Sequence, residues 1–150
     1  IKDHQGDLFY AGQSKLQFRG TNTFSNKDSS SSRCLVQFND TDFDIRDSTT
    51  INGTNYTGCA ALNLKRSRGK INNITVTGAQ EGLYAATSDV EIRGGTFSST
   101  GQSGIKLVEG SRFQIKSNDN DIVEAPTFEH ASTIIFSLGK YFFITLIISR

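Results

Sequence analysis

Two pairs of carboxylates in the sequence could carry out acid–base chemistry. Asp42 precedes Asp44 by two residues, and Asp89 precedes Glu91 in the same way. In a strand, such side chains project from one face about 7 Å apart, and they could act as acid and base in glycoside hydrolysis. Basic residues accompany both pairs, so we favour the alternative of a solvated ladder of ion pairs, each of which contributes little to stability.

A second set of side chains has the chemistry of a sugar-binding surface. It combines aromatic, amide and amino groups at equivalent positions of five short motifs: Tyr10, Gln37, Asn63, Tyr84 and Lys106. Aromatic faces stack on sugar rings, and amides pair with sugar hydroxyls. We therefore predict that this row binds a glycan. Tyr and Gln are also common at ordinary exposed strand positions, which is the alternative.

No motif for a metal ion or a cofactor accompanies these residues. The acidic run at residues 39–47 lacks the glycine and the terminal glutamate of an EF-hand loop. Neither a nucleophile elbow nor a phosphate-binding loop occurs, and two cysteines are too few for a zinc site. We predict no metal and no cofactor. Cys34 and Cys59 lie about one repeat apart but one position out of register, so a disulfide and two buried thiols both remain open.

An internal repeat supplies the scaffold that could bring these distant positions together. Each of five units contains two apolar pairs, each pair separated by one residue, and then a third apolar position. The first pairs are Phe9/Ala11, Val36/Phe38, Leu62/Leu64, Leu83/Ala85 and Ile105/Leu107. The second pairs are Leu16/Phe18, Phe43/Ile45, Gly69/Ile71, Val90/Ile92 and Phe113/Ile115. The third positions are Phe24, Ile51, Val76, Phe97 and Ile122.

Stacked units would bury these apolar positions together, at about 4.8 Å per coil. Two columns that were not used to find the repeat support the stacking. One column carries hydroxyl side chains, which can hydrogen-bond the backbone groups of a tight corner: Ser14, Thr41, Ser67, Ser88 and Ser111. The next alternates in charge, which favours cross-strand pairs: Lys15, Asp42, Arg68, Asp89 and Arg112. The sequence thus predicts an all-β, single-stranded parallel β-helix of about five coils over residues 1–123. Residues 124–150 are expected to form a C-terminal cap or trimerisation segment.

Two stretches connect this repeat to a known superfamily. They are GLYAATSDVEIRG at residues 82–94 and GIKLVEGSRFQIKSN at residues 104–118. Both resemble the repeat of right-handed parallel β-helix proteins, the pectin-lyase-like superfamily, and the resemblance covers roughly residues 7–123. It implies right-handed coils and a function directed at long polysaccharides. In character the chain is closest to a segment of a phage tail spike, which implies a homotrimer or another homo-oligomer. The calcium-binding aspartates of the lyases are not identifiable.

Charge and composition narrow the range of partners. Lys and Arg number 16 and Asp and Glu number 15, so the net charge of +1 argues against a general nucleic-acid-coating protein. The apolar run at residues 141–149 is shorter than the ~20 residues of a membrane span. Four Asn-x-Ser/Thr sequons favour a secreted protein, at Asn39, Asn52, Asn55 and Asn73. The absence of an initiator Met leads us to expect a processed product or a piece of a longer protein.

The expected function is recognition of a polysaccharide or surface glycan by an extracellular or virion-surface β-helix. One alternative is a polysaccharide lyase or glycoside hydrolase, and another is a purely structural solenoid of an extracellular filament. An enzyme requires a cleft with unpaired carboxylates, whereas a binding fibre requires exposed aromatic side chains. A structural spacer requires neither of these features.

Overall fold

Short strands wind the chain into a parallel β-solenoid, as the repeat predicts. The computed structural model describes residues 9–25, 34–54, 58–78, 80–99, 103–108, 110–115 and 134–136. Within these ranges every strand pairing is parallel and no helix occurs. Each complete turn contributes one strand to each of three sheets.

The three sheets have the following strands. The first sheet contains β1 (Phe9–Gly12), β4 (Val36–Asn39), β7 (Leu62–Lys65), β10 (Glu81–Ala86) and β13 (Ser103–Val108). The second contains β2 (Lys15–Phe18), β5 (Asp42–Ile45), β8 (Arg68–Ile71), β11 (Asp89–Ile92), β14 (Arg112–Ile115) and β15 (Ile134–Phe136). The third contains β3 (Asn22–Ser25), β6 (Thr49–Gly53), β9 (Ile74–Gly78) and β12 (Thr96–Ser99).

The number of coils is the one feature of the fold that needs correction. Among the residues that the structure describes, four turns are complete, β1–β3, β4–β6, β7–β9 and β10–β12, and β13 and β14 begin a fifth. Ile122, which was expected to provide the third apolar position of that coil, lies outside the described residues. Of residues 124–150, the structure describes only β15, which extends the second sheet beside β14. The prediction of a cap or trimerisation segment therefore stays a prediction.

The predicted register of the apolar columns is confirmed. In the first sheet, the rungs that follow one another are Phe9, Val36, Leu62, Leu83 and Ile105. A shift of one residue in any strand would turn its apolar side chains outward, so burial of the core fixes the register. At the N-terminal end the core is aromatic: the ring centroids of Phe9 lie 5.4 Å from Phe18 and 5.7 Å from Phe24. Aliphatic side chains fill most of the later coils.

The corner between the first and second sheets explains the column of hydroxyls. At each corner one residue has a left-handed backbone: Gln13, Asp40, Arg66, Thr87 and Gly110. The Ser or Thr that follows is buried in four of the five coils: Thr41, Ser67, Ser88 and Ser111. Ser67 Oγ accepts a hydrogen bond from the Thr41 amide at 3.2 Å and donates to the Lys65 carbonyl at 2.9 Å. The hydroxyls thus satisfy backbone groups that a tight turn leaves unpaired.

Gly69 occupies an inward position of the second sheet where the other coils have a large apolar residue. It pairs with Phe43 on one side and Val90 on the other. A Cβ atom at Gly69 would meet the backbone oxygen of Phe43 and lie 2.7 Å from its ring. The small residue therefore gives the buried Phe43 ring its space inside the solenoid.

The outward face of the third sheet carries a row of threonines that the sequence analysis did not identify. The row consists of one residue from each complete turn: Thr23, Thr50, Thr75 and Thr96. Each of these residues directly precedes an apolar position of the repeat, so the signal was present in the sequence. The described strands carry no charged side chain on this face, in contrast to the second sheet.

Candidate functional site

The predicted glycan row is a continuous line of neighbours on the outward face of the first sheet. Tyr10 pairs with Gln37, Gln37 with Asn63, Asn63 with Tyr84, and Tyr84 with Lys106. The alternation of side chains along each strand places all five on the face opposite the core. Tyr10 is 56% exposed, and Gln37, Tyr84 and Lys106 are partly exposed, whereas Asn63 is buried. The row is therefore a surface with a recess at its centre.

This recess belongs to an open groove of about 510 Å³. Three members of the row line it: Gln37, Asn63 and Tyr84. The turn before β7 contributes Gly58, Cys59 and Ala60, and the remaining lining residues are Cys34, Lys65, Gln80 and Glu81. The turns that lead into the first sheet thus form one side of the groove, and the row of the sheet forms the other.

A disulfide between Cys34 and Cys59 joins two successive turns at the groove. Their Cα atoms lie 5.0 Å apart, and the bond closes a separation of 25 residues. Of the two alternatives that the sequence left open, the structure shows the bonded one. Because Val36 pairs with Leu62, the cysteines are one position out of register, and the bond runs diagonally between the coils.

Asn63 is held against this disulfide. Its Nδ2 donates to Cys34 Sγ at 3.1 Å and to Cys59 Sγ at 3.3 Å. The other atom of the amide, Oδ1, is buried and has no hydrogen-bond partner among the described residues. A buried acceptor without a donor costs about 1–3 kcal/mol of folding free energy.

Both ends of the row are organised by polar contacts. At one end, Gln37 donates to Asn39 Oδ1 at 3.1 Å, and Asn39 donates to the hydroxyl of Tyr10 at 3.4 Å. At the other end, Lys106 Nζ lies 3.1 Å from Glu81 Oε1 and 6.0 Å from the centre of the Tyr84 ring. The buried carboxylate of Glu81 is therefore neutralised by a member of the row.

Asp42 and Asp44, the first two candidate carboxylates, each form an ion pair with an arginine. Arg68 Nε lies 2.7 Å from Asp42 Oδ1, and Arg46 Nε lies 2.6 Å from Asp44 Oδ2. The hydrogen bond from Arg68 holds the pKa of Asp42 below its ordinary value. For Asp44, partial burial is the largest influence and raises the pKa, but hydrogen bonds from Arg46 and Gln17 outweigh it and the pKa is lowered. Both groups are thus poorly suited to act as a general acid near neutral pH, which requires a raised pKa.

The second pair lies on β11, which β8 separates from the first pair on β5, and it is also surrounded by basic residues. Glu91 Oε1 lies 2.7 Å from Arg93 Nε, and the Glu91 side chain is 13% exposed. Asp89 pairs in register with Arg68 and Arg112 and lines a smaller groove of about 370 Å³ at the corner. This second groove also contains the ion pair of Asp40 with Arg66. Opposite charges therefore alternate over the surface, as in the ion-pair ladder that the sequence favours.

The sequence analysis missed part of the groove. Glu81, Gln80 and the turn at Gly58 fall between the repeating positions, so the repeat gave no reason to select them. A buried position for Asn63 was also not expected from a row of outward-facing residues. The one signal in the sequence was the pair of cysteines, whose disulfide joins the segment before β4 to the turn before β7.

No protein-family model matches the chain, and comparisons with curated proteins and with solved structures found no match. The β-solenoid therefore stands on the strand pairing of this chain itself. In the described ranges, no helix is long and apolar enough to span a membrane. Among the same residues, no three His, Cys, Asp or Glu side chains lie close enough together to hold a metal ion.

Proposed function

We propose that this chain is an extracellular or virion-surface β-solenoid that binds polysaccharide along the outward face of its first sheet. The observation that carries the proposal is the continuity of the glycan row with the groove, since Gln37, Asn63 and Tyr84 belong to both. Parallel strands repeat at about 4.8 Å, so equivalent side chains are presented at regular intervals. A surface of this form suits a chain ligand that is itself periodic.

The side chains of the row have the functional groups that sugars require. Tyr10 and Tyr84 lie three strands apart, about 14 Å at the usual strand spacing, and each could stack on a sugar ring. Gln37 between them provides an amide for sugar hydroxyls. Lys106 adds a cation whose charge is balanced by Glu81, so the ligand need not be strongly acidic.

The disulfide supports the proposed compartment. Disulfides form and persist in oxidising environments, such as the outside of cells and virion surfaces. The resemblance to right-handed β-helices of the pectin-lyase-like superfamily, and to a tail spike segment, agrees with a polysaccharide ligand. Cleavage of the ligand has less support, because Asp42 and Asp44 are ion-paired carboxylates with lowered pKa values.

A glycan array with matched variants tests the proposal. The probe set is bacterial surface polysaccharides and defined oligosaccharides, and Tyr84→Ala and Tyr10→Ala remove the two aromatic rings of the row. Each loss of a stacking ring is expected to weaken binding about tenfold, which corresponds to about 1.4 kcal/mol. Thr75→Ala changes an exposed side chain on the third sheet and is the control.

The variants distinguish the possible binding faces. If Thr75→Ala weakens binding and the tyrosine variants do not, the ligand lies on the third sheet and the proposed site is wrong. If no glycan binds, the purely structural solenoid becomes the better interpretation. Light scattering on the same sample tests assembly, because a homotrimer has three times the chain mass of 16.4 kDa. A monomer that binds no glycan contradicts the likeness to a tail spike.

A further inference from the structure

Three Asn-x-Thr sequons lie among the described residues, and their surroundings differ. They are Asn39-Asp40-Thr41, Asn52-Gly53-Thr54 and Asn73-Ile74-Thr75. The sequon at Asn55 lies outside the described residues. An N-linked oligosaccharide is bulky and hydrated, so the asparagine that carries it must be open to solvent in the folded protein. The structure therefore distinguishes positions that can carry a glycan from a position that cannot do so without loss of contacts.

Asn52 is open to solvent on the outward face of the third sheet. It is an exposed residue of β6 and lies between Ser25 and Thr77 of the adjacent strands. Its Oδ1 accepts hydrogen bonds from the hydroxyl of Thr54 at 2.9 Å and from the amide of Thr54 at 3.3 Å. Its Nδ2 forms no hydrogen bond with a described residue. Attachment of a sugar at Nδ2 therefore breaks no contact of the described fold.

Asn73 is open to solvent at the corner between the second and third sheets. It lies between the end of β8 and the start of β9, and it is exposed. The threonine of its sequon, Thr75, is also exposed and belongs to the row of threonines on the third sheet. Neither Asn52 nor Asn73 belongs to the glycan row or lines its groove. Glycans at these two positions would leave the first sheet uncovered.

Asn39 has a different environment, because both polar atoms of its amide are engaged. Oδ1 accepts a hydrogen bond from Gln37 at 3.1 Å, and Nδ2 donates to the hydroxyl of Tyr10 at 3.4 Å. The threonine of its sequon, Thr41, is 1% exposed, and its hydroxyl lies 3.2 Å from the Ala11 carbonyl. Asn39 is thus accessible to a modifying enzyme only before the coils close, and a glycan there would cover part of the glycan row.

We propose that Asn52 and Asn73 are N-glycosylation sites and that Asn39 stays largely unmodified in the folded protein. The co-substrate is an oligosaccharide joined through a diphosphate to a lipid. The Nδ2–C1 bond to the first sugar forms, and the bond between C1 and the diphosphate oxygen breaks. The lipid diphosphate leaves with the electron pair of that bond, and Nδ2 loses one proton to a base of the transferase.

The Cys34–Cys59 disulfide is an independent indication of the compartment that this reaction requires. Disulfides form in oxidising compartments, which include the lumen of the endoplasmic reticulum, and the Asn-x-Ser/Thr motif is an acceptor of glycans in secreted proteins. The bond and the two exposed sequons therefore indicate the same route, secretion from a eukaryotic cell. This inference goes beyond the proposed function, because it requires no ligand on the first sheet.

Site-resolved mass spectrometry of the secreted protein tests the inference. The chain is secreted from cultured mammalian cells behind a cleavable signal peptide, and the fraction that unfolds cooperatively on heating is isolated. Peptide-N-glycosidase F in water enriched in heavy oxygen converts each glycosylated asparagine into a labelled aspartate. We expect the label at Asn52 and Asn73 in most molecules and at Asn39 in few. Fragmentation of the peptide separates the signal of Asn52 from that of Asn55.

Matched variants assign each glycan to its sequon. Thr54→Ala and Thr75→Ala each remove the hydroxyl that the motif requires and leave the asparagine in place. Each is expected to lower the intact mass by one glycan, and the double variant by both. Asn72→Gln changes the residue next to Asn73 but lies outside every sequon, so it is expected to keep the full mass.

The outcomes keep this inference separate from the proposed function. Unmodified Asn52 and Asn73 in the folded, secreted protein would overturn it. Equal modification of Asn39 would also overturn it, because the folded structure would then not discriminate among the sequons. Binding of polysaccharide is measured on protein from a bacterial host, which carries none of these glycans. A failure to bind on the array therefore overturns the proposed function and leaves the modification sites in place.

Discussion

The side-chain amide of Asn63 lies 3.1 Å from the sulfur of Cys34, although 29 residues separate them in the chain. This contact connects the outward row of the first sheet to the disulfide that closes the adjacent turns. The strand register sets the position of Asn63 at the centre of the row, and the disulfide places two sulfur atoms against its buried amide. The chemistry of the groove and the stability of the coil are consequently linked.

Removal of the disulfide is expected to destabilise the solenoid. The double variant Cys34→Ser/Cys59→Ser no longer constrains the 25-residue separation in the unfolded chain, which costs about 3 kcal/mol of unfolding free energy. Urea unfolding with and without a reductant measures the effect. The reductant should destabilise the natural chain and leave the double variant unchanged. Equal stability of the natural chain in both conditions would contradict the prediction.

Gly69→Ala is expected to lower the free energy of unfolding by about 1–3 kcal/mol, because a methyl group has no space beside Phe43. Its nearest contact is a backbone oxygen, so truncation of the ring should not restore stability. The variant Gly69→Ala/Phe43→Leu is therefore expected to be no more stable than Gly69→Ala. Chemical unfolding of both variants measures this, and full rescue by Phe43→Leu would show that the ring alone limits the space.

The column of corner hydroxyls gives a prediction with a control inside the same column. Ser67→Ala leaves the buried Thr41 amide without its acceptor and is expected to cost about 1–3 kcal/mol. Ser14→Ala, at the exposed N-terminal end of the column, removes a bond to the Gly12 carbonyl and should cost less. Thermal unfolding compares the two variants. A larger loss of stability for Ser14→Ala than for Ser67→Ala would contradict the role of the buried corner hydroxyls.

The ion pairs of the second sheet predict an acid-sensitive stability. The pKa values of Asp42 and Asp44 are lowered in the folded chain, so unfolding takes up protons below the ordinary aspartate pKa of about 4. Above that pH the two carboxylates make their full contribution to the free energy of unfolding. This contribution is lost as the pH drops towards the lowered pKa values of the folded chain. Unfolding midpoints measured between about pH 6 and 2 follow this loss.

The double variant Asp42→Asn/Asp44→Asn is expected to show a shallower loss with acid than the natural chain. Gln114→Ala changes an uncharged residue in the same outward row and is expected to keep the natural slope. An identical acid dependence in all three proteins would mean that other carboxylates control the effect.

The sequence predicted the columns of the solenoid well. Apolar residues at every second position can be buried only in one register, so Val36, Leu62 and Leu83 had to stack. The same register placed the hydroxyls at the corners and Tyr84 beside Asn63. The prediction of about five coils differs slightly from the described residues, which form four complete turns and two strands of a fifth.

The sequence by itself therefore determined which residues face inward and which share an outward row, because strand periodicity and burial leave one solution. The tertiary structure decided what those rows can do. Arg68 turns to Asp42 across the sheet, whereas Arg46, directly after β5, pairs with Asp44 of that strand, and both conformations satisfy the same charge pattern. The turn at Gly58–Ala60 and the disulfide create the groove around Asn63, and they lie outside the repeat. Periodic positions are set by local geometry, but the contacts of turns and long side chains depend on neighbours that only the folded chain brings together.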